Sequence, residues 1–297
     1  MKNSEQKNRK KHVLPRWIRL LLRSKTGLLG FFIVAVVLFC AIFADKIAPF
    51  DPNQINPLYM LKPPAFMKGG DPQFLLGTDN LGRDILSRLI YGARISMLIG
   101  VLSVVVSGII GTLLGLLSGY YGGFLDSVIM RTTDAFHAIP RTLLALVAVS
   151  IVSGGVTTLI VVIGITGWVT YARLIRSEVL GLKSREFVKA AITIGAPNWK
   201  IILQHILPNI VSSVIVVSTL AVATSIIAET SLSFLGLGIN PPNISWGGML
   251  STGRDYIATN WWVATFPGIT LTLTVLGIMF LGNWMRDVMD PHNQGLI

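Results

Sequence analysis

The amino-acid sequence predicts an all-α polytopic membrane protein with six transmembrane helices. Three observations predict it. The 297 residues are 52% hydrophobic and only 13% charged, with a mean hydropathy of +0.66, whereas soluble domains carry about a quarter charged residues. Long stretches lack Lys, Arg, Asp and Glu altogether, at 27–44, 95–125, 142–172, 201–228 and 256–285. The basic residues gather beside the ends of those stretches, as expected when they set orientation in a bilayer. A water-facing surface cannot be covered by so few polar groups, which excludes a soluble enzyme. The single cysteine, Cys40, excludes an intramolecular disulfide framework and a CxxC metal site.

About 20 apolar residues in a helix cross the hydrocarbon core. The stretch 142–172 is interrupted by Ser153-Gly154-Gly155, a turn signal, so it reads as two helices, the first starting earlier and taking in Arg131 and Asp134. The expected spans are 27–47, 93–119, 128–152, 156–174, 209–231 and 264–285. An even count puts both ends of the chain on one side. Residues 1–26 hold nine Lys/Arg against Glu5, which places this basic tail in the cytoplasm. The segment 173–208 adds six basic residues against Glu178 and Glu186 and falls on the same side. Loops 48–92 and 232–263 then face outward, 93–285 forms a five-helix core with an inner loop at 175–208, and 286–297 is a cytoplasmic tail. Nucleic-acid binding, the other use of a +11 net charge, is set aside because orientation alone explains where the charge sits. A cleaved signal peptide over 16–44 is also set aside, because Ala41 and Ala44 are one position too far apart for an A-x-A-like site.

Ser103, Ser107, Gly111, Gly115, Gly119 and Gly123 recur every four residues through the second span, with Gly108 and Gly122 beside them. Small residues at this interval let helix backbones approach closely in lipid. The stripe therefore reads as a packing face, either within the subunit or against a partner or gate. Arg131, Asp134, His137 and Arg141 lie near the start of the third span, with Asp134 and His137 on one helical face. Ionisable groups at membrane depth pair or line a wet path, and three readings stay open: a pairing cluster at the boundary, a proton relay and a transient metal ligand. Glu229, near the outer end of the fifth span, is the more isolated acid and a candidate gate or cavity residue. His12, His205 and His292 supply no metal-site spacing. No phosphate loop, H-E-x-x-H or G-x-S-x-G motif occurs, and Gly181-Leu182-Lys183-Ser184 lacks the glycine frame that cradles phosphate.

The inner segment Ser184 to Asn209 reads SREFVKAAITIGAPNWKIILQHILPN. Ser184 is placed to cap a helix from Arg185, with Phe187, Ala190, Ala191 and Ile194 on one face. Gly195 suits its end. Pro197 suits the first turn of a second helix through Trp199, Ile202 and Ile206, stopping before Pro208. This segment resembles the EAA loop of binding-protein-dependent ABC importer permeases: Ala190-Ala191, three residues, Gly195, then Leu207-Pro208. Lys189 stands where the general pattern has Glu, leaving Glu186 as the nearby acid, and His205 replaces a commoner apolar residue. Both departures look like the peptide/nickel branch. So do Leu76-Gly77-Thr78-Asp79-Asn80-Leu81-Gly82-Arg83-Asp84, Tyr91-Gly92-Ala93-Arg94, and the run from Glu229 to Gly238 with Pro241-Pro242 and Trp246-Gly247. These resemble the second permease subunit of dipeptide and oligopeptide importers, over about residues 20–291. Each string also has a purely structural reading, as a capped turn or a re-entrant connection.

The resemblance implies a type I ABC importer permease fold with a coupling helix, in which Glu186, Lys189, Ala190, Ala191, Gly195, Ala196 and Pro197 meet an ATPase. It implies a heterodimer with a homologous permease, two ATPase subunits and an extracytoplasmic solute-binding protein, in a bacterial cytoplasmic membrane. ATP and Mg would be bound by the ATPases and no cofactor or metal by this chain. Small peptides, nickel, metal chelates or glutathione-like compounds are the cargo the branch suggests. The alternative is an ion-coupled secondary transporter or channel using Asp134, His137 or Glu229.

Overall fold

The computed structural model describes residues 16–289. The basic residues of 1–15 and the tail 290–297 lie outside the described residues. Within them the chain is helical, with five helices long and apolar enough to cross a membrane, or six if one bent pair counts as a span. A short helix α1 (Arg16–Arg23) leads into α2 (Lys25–Ile47), whose first turn is capped by Ser24 Oγ accepting from the Gly27 amide at 3.0 Å. The sides of α2 expose Phe31, Phe32, Phe39 and Ile42, the large apolar surface that lipid accepts and water does not.

Helix α3 (Ile85–Tyr121) starts at Ile85 rather than at the expected 93. The cause is a cap that a search for charge-free windows overlooks. The Asp84 carboxylate accepts from the amide and hydroxyl of Ser87, each at 2.7 Å, and burial pushes this carboxyl above the usual carboxylate range. The two helical turns so gained carry Arg88, which is buried, donates to the Pro52 carbonyl at 3.1 Å and lies 3.5 Å from Asp79. Asp79 also accepts from the Leu81 and Arg83 amides and from Arg83 Nε at 2.7 Å. The turn from Gly77 to Asp84 is thereby a rigid knot, reached from the far end of the sequence by Trp262 Nε1, which donates to the Thr78 carbonyl.

The expected third span is not one straight helix. Helices α4 (Gly123–Ala138) and α5 (Arg141–Val152) meet at 87°. Pro140 has no amide to donate and holds Ile139 in an extended conformation (φ −101°, ψ 130°). Helix α6 (Val156–Lys183) follows and runs well past the expected 174. Helix α7 (Glu186–Thr193) is the short inner helix. Ser184 does not cap it. Its hydroxyl instead donates back to the Gly181 carbonyl, and Arg185 occupies the cap position.

Nor does the second inner helix stop before Pro208. A turn, α8 (Asn198–Ile201), passes through a π-helical stretch at Ile202–Ile206 into α9 (Leu207–Phe234). Proline lacks an amide and clashes with the carbonyl four residues back, and widening the turn relieves both. The Leu207 amide duly reaches the Ile202 carbonyl, five residues back. The result is one continuous rod over 198–234. Helices α10 (Trp246–Arg254) and α11 (Trp262–Met289) complete the chain. Buried side chains of α2, α3, α9, α10 and α11 form one core around Trp246, whose indole donates to the Leu89 carbonyl at 3.0 Å. A second core, at the end that carries α7, joins Leu116, Ile175, Val179, Val188, Ile201 and Ile206.

Candidate functional site

The small-residue stripe of α3 faces α6. A side chain built at Gly111 would place its Cβ 2.4 Å from the Trp168 carbonyl oxygen, and at Gly115 2.7 Å from that of Ala172. At Gly119 it would lie 2.8 Å from Val179 Cβ. Ser107 Oγ lies 2.8 Å from the Gly164 carbonyl and 2.9 Å from that of Ser103. The contact is therefore internal to this chain and ends at Gly119, because Gly122 and Gly123 form the left-handed turn (φ +69° and +57°) into α4.

Helix α7 stands at the end of the bundle as a knob. Val188 and Ala191 are its buried side. The face expected from spacing is split: Ala191 is buried, whereas Phe187, Ala190 and Ile194 are exposed, with Ile194 at 83%. Glu186, Lys189 and Pro197 are exposed and Ala196 is half-buried. Gly195 has φ +78°. Its amide donates to the Ile192 carbonyl and the Ala196 amide to that of Ala191, the paired bonds that close a helix end through a left-handed residue. With Ile192 and Trp199 also exposed, the knob presents an apolar, glycine-set surface next to polar Glu186 and Lys189.

The end of the bundle that carries the knob is held together by contacts that sequence reading missed. Tyr120 Oη donates to Asn198 Oδ1 at 2.9 Å. Lys183 Nζ donates to the Tyr120 carbonyl at 2.6 Å and sits over its ring. Arg176 grips Asp126 with two bonds of 2.6 Å, and Ser118 Oγ bonds the same carboxylate. Apart from Ser118 and Asp126, these partners are 50 to 78 residues apart in the chain, so no local spacing signals them. Replacing Asp126 by Asn removes the charge from a two-pronged, partly buried pair, and a charge-assisted hydrogen bond contributes about 1.5–3 kcal/mol. The expected result is a lower melting temperature in detergent for Asp126→Asn. An Arg176→Gln, Asp126→Asn double variant should melt no lower than the sum of its singles.

The ionisable residues of the third span do not form one cluster. Asp134 pairs with Arg173 at 2.6 Å in an exposed bridge, and His137 is exposed. The bend at Pro140 sends Arg141 elsewhere, to the Ile163 carbonyl at 3.0 Å. Among the described residues no group of three His, Cys, Asp or Glu is placed to hold a metal ion. Glu229, the candidate gate residue, is buried at a helix contact. It is 0% exposed, accepts from Ser233 Oγ at 2.7 Å, and lies against Gly247 of α10, where an added Cβ would come within 3.3 Å of it. It thus sits where α9 packs on α10.

A helical bundle with five or six candidate membrane spans, a buried glycine seam, a folded loop layer at one end and an apolar knob at the other defines a polytopic membrane protein. The chain belongs to the family described as binding-protein-dependent transport system inner membrane component, which it matches over residues 111–294. Residues 16–64 match the N-terminal transmembrane domain of oligopeptide transport permease C. The chain is 42% identical over 268 residues to the di/tripeptide transport system permease protein DppC of Pseudomonas aeruginosa (strain UCBPP-PA14), covering 90% of this chain and 88% of that protein. It is 43% identical to the dipeptide transport system permease protein DppC of Escherichia coli (strain K12), over 91% of this chain and 90% of that one. It is 37% identical to the oligopeptide transport system permease protein OppC of Bacillus subtilis (strain 168), over 95% and 91%. A solved structure of the MetNI methionine ABC transporter in an inward-facing conformation shares the fold, with a TM-score of 0.57 and 19% identity over 68% of this chain and 96% of the other.

Proposed function

We propose that the chain is one half of the membrane pore of an ATP-driven importer of small peptides, working by alternating access. It pairs with a homologous permease as a heterodimer, with two ATPase subunits at the knob end and a solute-binding protein over the loop layer. The observation that carries this reading is the knob itself. Its exposed face of Phe187, Ile192, Ile194 and Trp199 is too apolar to remain bare in water, and only the short turn 194–197 separates α7 from the continuous rod 198–234, which carries Trp199. A partner that docks there moves a rod rather than a loop. Tyr120, Asn198 and Lys183 carry the same displacement to α3 and α6. A nucleotide-driven motion of the partner then biases two states of the bundle by its differential contact with them.

Peptide as cargo is supported by the similarity to proteins named for dipeptide, di/tripeptide and oligopeptide transport. The ion-coupled alternative has no continuous relay to rest on, since Asp134 and Glu229 serve separate contacts.

The reading fixes which side of the membrane holds the knob. With Cys40 replaced by Ser and Ile194→Cys as the reporter, a membrane-impermeant maleimide should label inverted vesicles and spare intact cells. Labelling of intact cells would place the knob away from ATP and refute the proposal. Co-purification of the ATPases, lost on Ile194→Asp, is the second expected result.

A further inference from the structure

A cavity of about 370 Å³ lies between α3, α5, α6 and α9, lined by Ser107, Arg141, Thr170, Tyr171, Thr224 and Ser225 among others. Its residues fall near the middles of α6 and α9, so it sits at membrane depth. The Pro140 bend makes Arg141 the first residue of α5 and delivers its side chain here. A cation at this depth is costly unless it is paired. Yet among the described residues no carboxylate stands within 4 Å of the Arg141 guanidinium.

What holds Arg141 is neutral. Its Nη2 donates to the Ile163 carbonyl at 3.0 Å and its Nε to Thr166 Oγ1 at 3.4 Å. Of the five N–H groups of a guanidinium, three are left without a protein acceptor among the described residues. The space around it is kept by glycine. A Cβ at Gly167 would lie 2.9 Å from Arg141 Nη2 and 2.5 Å from Ser107 Oγ, so any side chain there would displace the guanidinium. The rest of the lining mixes hydroxyl groups with apolar Val217, Leu220 and Ala221; Ser107 and Thr224 already donate to backbone carbonyls, which leaves Thr170 and Ser225 as the lining hydroxyls without a protein acceptor among the described residues. Tyr171 is fixed by donating to Ser218 Oγ at 3.0 Å.

We propose that this cavity is an anion subsite of the translocation path, in which Arg141 takes the terminal carboxylate of a peptide in transit. The inference rests on the peptide reading above. A guanidinium matches a carboxylate in a two-pronged geometry, and low dielectric strengthens the attraction. The neutral anchors at Ile163 and Thr166 hold the cation without neutralising it, as a site that must release its ligand requires.

The test reconstitutes the chain with its permease partner, ATPases and binding protein in phosphatidylcholine vesicles, which removes anionic headgroups as rival occupants. ATP-driven uptake of trialanine is compared with that of trialanine amide, each saturating the binding protein. Loss of a charge-assisted bond should lower trialanine uptake by Arg141→Gln roughly tenfold while amide uptake changes by less than about twofold. Arg141→Lys should retain the preference for the free acid. Thr170→Asp, which keeps Arg141 and its anchors but supplies a competing carboxylate, should lose it. If Arg141→Gln and Thr170→Asp both carry acid and amide in the wild-type ratio, the subsite is refuted and peptide import stands. If the wild-type assembly imports neither compound, the peptide reading falls and this inference with it.

Discussion

Gly195→Val is expected to cut ATP-driven uptake roughly tenfold while leaving the protein in the membrane. The reason is conformational. A Cβ at Gly195 meets nothing within 4 Å, but the backbone is held at φ +78°, and a left-handed backbone costs an ordinary L-residue about 1–2 kcal/mol. Set against a short helix of eight residues, that cost shifts the turn away from the paired bonds through Ile192 and Ala191. A difference of about 1.4 kcal/mol is tenfold in population, and only the correctly turned knob transmits force. The ranking distinguishes this from simple crowding. Asn tolerates the left-handed region, so Gly195→Asn should transport better than Gly195→Ala despite its larger side chain, and Gly195→Val should be worst. Uptake falling strictly with side-chain volume would show that a docking partner, not the turn, sets the requirement.

Much of this architecture is legible in the sequence because lipid imposes a simple rule, and five charge-free stretches locate the membrane-crossing helices. Gly195 is legible for a similar reason, as a glycine at a helix end has few other uses. Where reading by windows fails, a single residue overrides composition. Pro140 breaks a span that looks continuous, and Asp84 starts a helix in a segment containing charges. Pro208 fails in the opposite direction. It reads as a stop, yet a π-turn absorbs its missing amide, and the continuous rod buries Ile201, Ile206 and Ile210 in one core. The contacts between Asp126 and Arg176, Tyr120 and Asn198, and Glu229 and α10 are invisible beforehand. They depend on which distant helix becomes a neighbour, and a charged residue near a membrane boundary carries no mark of its partner.

The small-residue stripe makes the sharpest stability prediction, because two of its glycines on the same helix should respond with opposite signs. At Gly111 an added methyl would lie 2.4 Å from the Trp168 carbonyl oxygen and 2.5 Å from Tyr171 Cβ. Both belong to the helix α6 backbone or its first side-chain carbon, so neither can swing aside, and α3 and α6 must separate. Overpacking of this kind costs about 1–3 kcal/mol, more than the roughly 1 kcal/mol that alanine gains over glycine in a helix. At Gly108 the nearest atoms are Tyr171 Cε1 and Cζ at 3.6 and 3.8 Å, which is ordinary contact, so the helix gain survives. Gly111→Ala should therefore lower the melting temperature of the detergent-solubilised assembly, and Gly108→Ala should hold or raise it. Gly111→Leu should prevent stable accumulation altogether. The consequence extends beyond α3, because Tyr171 also donates to Ser218 on α9, and pushing it away loosens the wall that holds the Arg141 cavity. A Gly111→Ala variant that melts at the wild-type temperature would mean that α3 and α6 are not in the close contact described, and the transmission of force from the knob through their shared seam would lose its physical basis.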